Sequence, residues 1–376
     1  MQEITRRSFM NQAGVALTGL ALVVASPENP FSFNPNTQAE EIKKSAPLIE
    51  ILDNRYEFKI LAEGLNWPEE LVISPKDDKL FFVQKSRTDS SEGVYELVSS
   101  GVEYRFPGAG DPWGQRHQTR IAVNDKNELF VYSMTYIDEN LKIWDTKTGK
   151  EVLDIEGPYK EDKGDYQKVN HIAMNPKDGR LYVMRWIGGS IDVLDRERKR
   201  VIPWIKKGPS MCWFCFDSNG NLYAPSFNKG LVKFSLDKKE EKVKEPILVG
   251  VLNDTKSDPK TYWDPCGSRI ISDKASFING SFYEGFEKDD PRVKDLSIMV
   301  CTSIECLEGK TVKSYEVFYS LDSEKNEARP ILRVNDNRFT SRGFCLDRHG
   351  NLYFSTCLWS GGDNKYPGKI VRVSRK

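Results

Sequence analysis

Apolar and aromatic residues gather in short runs along this chain. Each run is introduced by a turn built from Asp, Asn, Gly or Pro and followed by a second strand-like run. The form is plainest in GNLYFSTC (350–357). KLFFVQ (79–84), ELFVYS (128–133), RLYVMR (180–185) and NLYAPS (221–226) repeat it, and LSIMVC (296–301) is a fainter copy. With Leu80, Leu129, Leu181, Leu222, Ile298 and Leu352 as landmarks, the intervals are 49, 52, 41, 76 and 54 residues. Strands recurring at a period of roughly 40–50 residues, several to a repeat, are the pattern of a β-propeller.

Four-strand units follow from Glu70 onward. The first reads ELVIS (70–74), KLFFVQ, GVYELV (93–98) and VEYRF (102–106). The second reads RIAVN (120–124), ELFVYS, NLKIWD (140–145) and KEVLDI (150–155), and the third NHIAMN (170–175), RLYVMR, SIDVLD (190–195) and RVIPWI (200–205). The fourth is MCWFCF (211–216), NLYAPS, LVKFSLD (231–237) and KEPILVG (244–250). Inner strands are nearly all apolar, as burial on both faces requires, whereas outer ones such as VKFSL alternate. The irregular fifth unit is placed at KASFIN (274–279), LSIMVC, VKSYEVF (312–318) and RPILRV (329–334).

The sixth unit supplies only RGFCLD (342–347), NLYFST and KIVRVS (369–374). RYEFKIL (55–61) is an orphan strand at the other end, and it completes this blade. The predicted fold is therefore all-β: a six-bladed β-propeller closed by pairing of its N-terminal and C-terminal strands, which removes exposed edges. The predicted division is a signal peptide over 1–25, a linker over 26–54 and the propeller over 55–376.

Composition narrows the partners. Lys+Arg and Asp+Glu both number 55, so formal net charge is zero and no basic excess argues for nucleic acid. Thr5-Arg6-Arg7-Ser8-Phe9-Met10 resembles a twin-arginine export signal, and the apolar run Ala13–Ala25 serves as its hydrophobic region. That run is too short to span a bilayer as a mature helix, so the mature chain is expected to be periplasmic or extracellular with no membrane span. The seven cysteines leave at least one unpaired. Cys212 and Cys215 lie three apart on a predicted strand and point to opposite faces, whereas Cys301 and Cys306 flank a predicted hairpin and could pair.

The turns SPKDDK, NDKN, NPKDG, DSNG and DRHG all fall on one rim. The opposite rim carries the loops that enter the inner strands and surround the central channel. Five residues before each turn-opening residue stand Glu69, Thr119, Asn170, Cys212 and Arg342, with Lys274 as the fifth-blade equivalent. Polar groups converging on a concave mouth define a small-molecule site; the alternative is that they satisfy one another and channel water. Trp67, Trp113, Trp186, Trp263 and Trp359 fall in loops of this rim or in the 251–273 insertion, where indoles stack on ligands or plug the mouth.

EGLNWPEELVISPKDDKLFF, VNHIAMNPKDGRLYV and PSMCWFCFDSNGNLYAPSFNKGLVKF are similar to the six-bladed senescence-marker/gluconolactonase-like (regucalcin-type) family, with strictosidine-synthase-like and paraoxonase propellers as more distant relatives. The resemblance runs from about Glu63 to the C-terminus. It implies one divalent ion in the channel, held by a Glu, two Asn and an Asp that also acts as base in opening a sugar lactone. By position Glu69 matches the Glu and Asn170 one Asn, while Thr119 and Cys212 stand where the other Asn and the Asp belong. Oxygen donors suit Ca²⁺, whereas a Cys212 thiolate shifts the preference toward Zn²⁺.

The metal set implied is thus Glu69, Asn170 and Cys212. His117 or His171 is the candidate base, and Thr119, Arg120, Arg342, Trp186 and Trp359 are candidate ligand-binding residues. As a neighbour of Asn170 on one strand, His171 is expected to face away from it, which suits a structural role. Two functions remain open: a metal-dependent lactone or ester hydrolase, and a non-catalytic propeller that binds a ligand or a protein after losing the metal site. Oligomeric state is not set by the sequence.

Overall fold

The computed structural model describes residues 48–85, 92–108, 118–134, 139–156, 169–185, 190–206, 214–216, 219–226, 230–235, 237–238, 240–242, 247–248, 275–281, 299–308, 311–322, 327–334, 339–347, 349–358 and 368–376. All regular structure among them is β, in six antiparallel blades arranged as a propeller. Blade one is Glu69–Ile73, Leu80–Lys85, Glu92–Val98 and Gly101–Pro107. Blade two is Gln118–Val123, Glu128–Met134, Glu139–Asp145 and Glu151–Glu156. Blade three is Val169–Met174, Leu181–Arg185, Ile191–Asp195 and Arg200–Ile205.

Blade four has a short described inner strand, Cys215–Phe216, then Leu222–Ser226, Gly230–Phe234 and Glu240–Lys242. Blade five is Ala275–Ser281, Met299–Glu308, Thr311–Asp322 and Glu327–Val334. Blade six takes Phe339–Leu346, Leu352–Leu358 and Gly368–Arg375 from the C-terminal end and Tyr56–Leu65 from the N-terminal end. Tyr56 faces Arg375 and Leu65 faces Gly368, so closure occurs where the orphan strand predicted it.

Central strands are buried on both faces because every sheet has a neighbour on each side. All five residues of Leu181–Arg185 are buried, whereas the outer strand Gly101–Pro107 is mostly exposed. Apolar clusters fill the seams between consecutive blades. Phe130, Leu141, Ile172 and Val183 join blades two and three; Tyr182, Trp204, Phe214 and Phe216 join three and four; Phe318, Phe344 and Phe354 join five and six.

The turn-bearing rim is built from one repeated device. In blades two, three and six a polar residue at the end of the inner strand holds the turn: Asn124 Oδ1 accepts from the amides of Lys126 and Glu128, Asn175 Oδ1 from that of Lys177, and Asp347 Oδ1 from those of His349 and Asn351. The turn then needs a left-handed residue, supplied by Asp78, Asn127, Gly179, Gly220 and Gly350 at φ between 56° and 78°. That requirement explains the recurrent Asn, Asp and Gly seen in the sequence.

Three expectations change. Ile49–Ile51, within the stretch read as linker, pair with Leu332–Val334 on the outer edge of blade five. Ile247–Leu248, expected on blade four, instead pair in parallel with Glu327–Ala328 of that same edge. Cys301 and Cys306 both lie on Met299–Glu308, opposite Phe318 and Lys313. Five residues of extended chain separate their Cα atoms by about 16 Å, which forbids a disulfide.

Candidate active site

On the rim opposite the turns, three side chains from three blades meet: Glu70, Arg120 and His171. An Nη1–H of Arg120 donates to Glu70 Oε1 at 2.8 Å, with 5% of Glu70 and 6% of Arg120 exposed. His171 Nδ1 lies 3.9 Å from Glu70 Oε2. The imidazole packs edge-on to Phe214 of blade four, with ring centroids 5.2 Å apart.

Glu70 arrives there through a β-bulge. The pairing Glu69↔Val83 is followed by Leu71↔Phe82, leaving Glu70 as an extra residue at φ 43°. A bulge of this kind re-aims one side chain, and a left-handed Glu costs on the order of 1–3 kcal/mol that the surrounding packing must offset. Asn170 is the extra residue of a second bulge, between Val169↔Arg185 and His171↔Met184. The last inner strand is irregular too, with Arg342 and Gly343 opposite Ser355 between Ser341↔Thr356 and Phe344↔Phe354.

The electrostatics follow from burial. Desolvation lifts the Glu70 carboxyl from its ordinary 4.5 to about 7; the Arg120 charge opposes this, and the nearby Glu69 and Glu92 carboxylates add to it. His171 moves the other way, from 6.5 to about 3, because burial and the Arg120 charge disfavour imidazolium; a hydrogen bond with the Phe214 backbone opposes them. Near neutrality the site thus holds a carboxyl balanced between its two forms, a fixed guanidinium and a neutral imidazole.

Glu92 fixes the backbone immediately before Arg120. Glu92 Oε2 accepts the Thr119 amide at 2.6 Å, and both side chains are buried. Gly108 makes room for Thr119, since a Cβ there would sit 2.7 Å from Thr119 Oγ1. Further round the rim, Arg185 Nε donates to fully buried Asp192 at 2.6 Å, and the Tyr132 hydroxyl donates to Glu139 at 2.9 Å.

Of the residues singled out in the sequence, Arg120 and His171 converge. The Glu69 carboxylate accepts a hydrogen bond from the Trp67 indole, and Thr119 is a buried support. Cys212, His117, Trp186, Trp359 and the side chains of Asn170 and Arg342 lie outside the described residues. Glu70 is not among the residues that the spacing picks out. It, Arg120, His171 and Gly343 each stand four residues before the turn-opening residue, not five, so the buried ring lies one residue deeper than the spacing suggested. At blades one and three a bulge lies at this position, whereas the Arg120 strand pairs without a break, so the offset is common to regular and bulged strands alike.

Of the implied metal set, only the Glu69 side chain lies within the described residues. Among the described residues no three His, Cys, Asp or Glu side chains gather as a ligand group, and the cation facing Glu70 is Arg120. No helix among the described residues is long and apolar enough to cross a membrane.

No known protein family and no curated protein matches the chain. Solved structures do match it in fold. A Bacteroides thetaiotaomicron protein of unknown function aligns over 85% of this chain and 76% of its own, at 10% identity and a TM-score of 0.50. A protein provisionally described as a gluconolactonase covers 87% of this chain and 94% of its own, at 13% identity and a TM-score of 0.47. A Thermus thermophilus oxidoreductase, provisionally described as a glucose dehydrogenase, covers 85% and 100%, at 14% identity and a TM-score of 0.48. Fold alone is shared at such identities; activity belongs to the site.

Proposed function

We propose that this chain is an exported propeller hydrolase that opens a lactone or a similar small ester at the channel mouth, with Glu70 as general base. The observation that carries this is the buried Glu70 carboxyl, re-aimed by a left-handed bulge and lifted to about 7 beside Arg120. A base of that strength matches water activation near neutral pH. In the proposed step Glu70 takes a proton from water as its oxygen bonds to the ester carbonyl carbon. Arg120 offsets the charge that develops on the carbonyl oxygen, and neutral His171 bonds a substrate hydroxyl. The C–O bond then breaks, and the leaving alkoxide recovers the proton from Glu70. No step draws on a metal.

The test is hydrolysis of a panel of sugar lactones and small esters by the purified chain. Turnover should survive chelator treatment, rise as pH rises through about 7, and fall at least 100-fold in Glu70→Gln. Turnover lost to chelator and restored by Ca²⁺ or Zn²⁺ would return the chemistry to a metal held by Glu69, Asn170 and Cys212. One observation favours a second reading: the Arg120–Glu70 ion pair is already satisfied, which suits a site that only binds. No turnover across the panel, with ligand binding lost in Arg120→Met, would decide for it.

Export rests on Arg6 and Arg7. Replacing both with Lys should leave the protein inside the cell, as fractionation would detect; normal export of that variant would end the twin-arginine assignment.

A further inference from the structure

Four glycines of the described chain stand where an added Cβ would come within 3.0 Å of backbone or of a side chain other than a flexible surface ring: Gly108, Gly220, Gly343 and Gly368. At Gly343 the obstacle is backbone alone, with the Glu70 and Leu71 amide nitrogens both 2.7 Å away and the Glu70 Cα 2.9 Å away. Real Cβ atoms essentially never approach this closely, and backbone cannot swing aside as a side-chain tip can. The contact joins two irregular segments. Gly343 lies in the break of the last inner strand, and Glu70 is the bulge of the first.

From this geometry we infer that Gly343 is a positioning residue for the site: its missing side chain lets the Glu70 bulge seat against blade six and hold the carboxylate toward Arg120. The inference rests on the reading of Glu70 as the reactive group and adds to it the origin of its placement. The amide of Glu70 can occupy its position only if nothing projects from residue 343. A methyl group there has one way out, which is to push the bulge away from blade six and turn Glu70 off its φ of 43°. The backbone just before Arg120 is fixed by the Thr119 amide's bond to Glu92, away from residue 343, so Arg120 would not follow. The 2.8 Å ion pair would open while the blades stayed packed.

The Trp67 indole, which donates to Glu69 beside the bulge, offers a readout that needs no substrate. In Gly343→Ala the Trp67 indole N–H resonance, assigned with Trp67→Phe, should shift. In the hydrolysis assay kcat should fall at least 10-fold with KM changed less than 3-fold. Gly220→Ala is the control: its Cβ would meet Lys177 and Asn175 on the far rim, at φ 78°, so it should melt earlier yet leave the Trp67 resonance and kcat unchanged. If Gly343→Ala does not fold, Gly343→Ala with Glu70→Gly should recover the fold, because a glycine bulge can yield.

An unmoved Trp67 resonance in a folded Gly343→Ala variant would overturn the inference, as would failure of the double variant to fold. Absence of hydrolysis in the parent chain would refute the hydrolase and leave the resonance test of Gly343 standing.

Discussion

Glu70 and His171 respond to burial in opposite senses, and that opposition has a measurable result. Between about pH 4.5 and 7 the folded chain holds a proton on Glu70 that the unfolded chain releases, so stability falls as pH rises. Between about pH 3 and 6.5 the unfolded chain protonates His171 and the folded one does not, so stability rises with pH. Each slope is about 1.4 kcal/mol per pH unit, and over roughly pH 4.5–6.5 they cancel. Denaturant titrations of the parent should give a flat contribution from this pair. Glu70→Gln should expose the His171 slope, with stability rising toward pH 6.5, and His171→Gln the reverse slope. A parallel profile in all three proteins would show that neither group titrates as its burial requires.

At the scale of the element, strands and turns were legible in the sequence but the irregularities between them were not. Asn124, Asn175 and Asp347 each end an inner strand and hold the next turn, and their side-chain chemistry is written in the residue type. Asp347 accepts from two amides, from Asn351 Nδ2 at 2.7 Å and from the Tyr353 hydroxyl at 3.1 Å. Asp347→Ala should therefore cost about 2–4 kcal/mol in chemical denaturation, while Asp347→Asn should keep part of that bonding. A cost below about 0.5 kcal/mol would mean that the backbone alone makes the turn.

No comparable marker announces a bulge. Nothing in WPEELVIS says whether Glu69 or Glu70 is the extra residue, because both are the same residue type and period-2 alternation admits either. The approach of Gly343 to Glu70 spans 273 residues of sequence and carries no local signal. The short additions to blade five escaped for another reason. Ile49–Ile51 and Ile247–Leu248 are two or three residues long, too brief for periodicity to separate from loop.

The whole molecule depends on one seam. Tyr56–Leu65 and Gly368–Arg375 tie the two ends of the ring together, and the exposed Phe58 and Ile60 lie on that N-terminal strand. A chain stopped after residue 367 should lose cooperative thermal melting and expose an unpaired inner edge, detectable as dye binding or aggregation. Melting like that of the parent would place the closure elsewhere. The same seam explains why architecture was the most readable property: two unmatched strands at opposite ends of a repeating pattern have one another as partners.

That seam also sets a clock on biosynthesis. Tyr56–Leu65 leaves the ribosome early, but its partner follows roughly 300 residues later, about 15–60 s at 5–20 residues per second. During that wait the strand keeps an open edge, guarded by the charges of Glu57, Lys59 and Glu63. The ring locks only when Gly368–Arg375 emerges. A chain stopped before Gly368 cannot close its ring, so any machinery that accepts only folded cargo would turn it away.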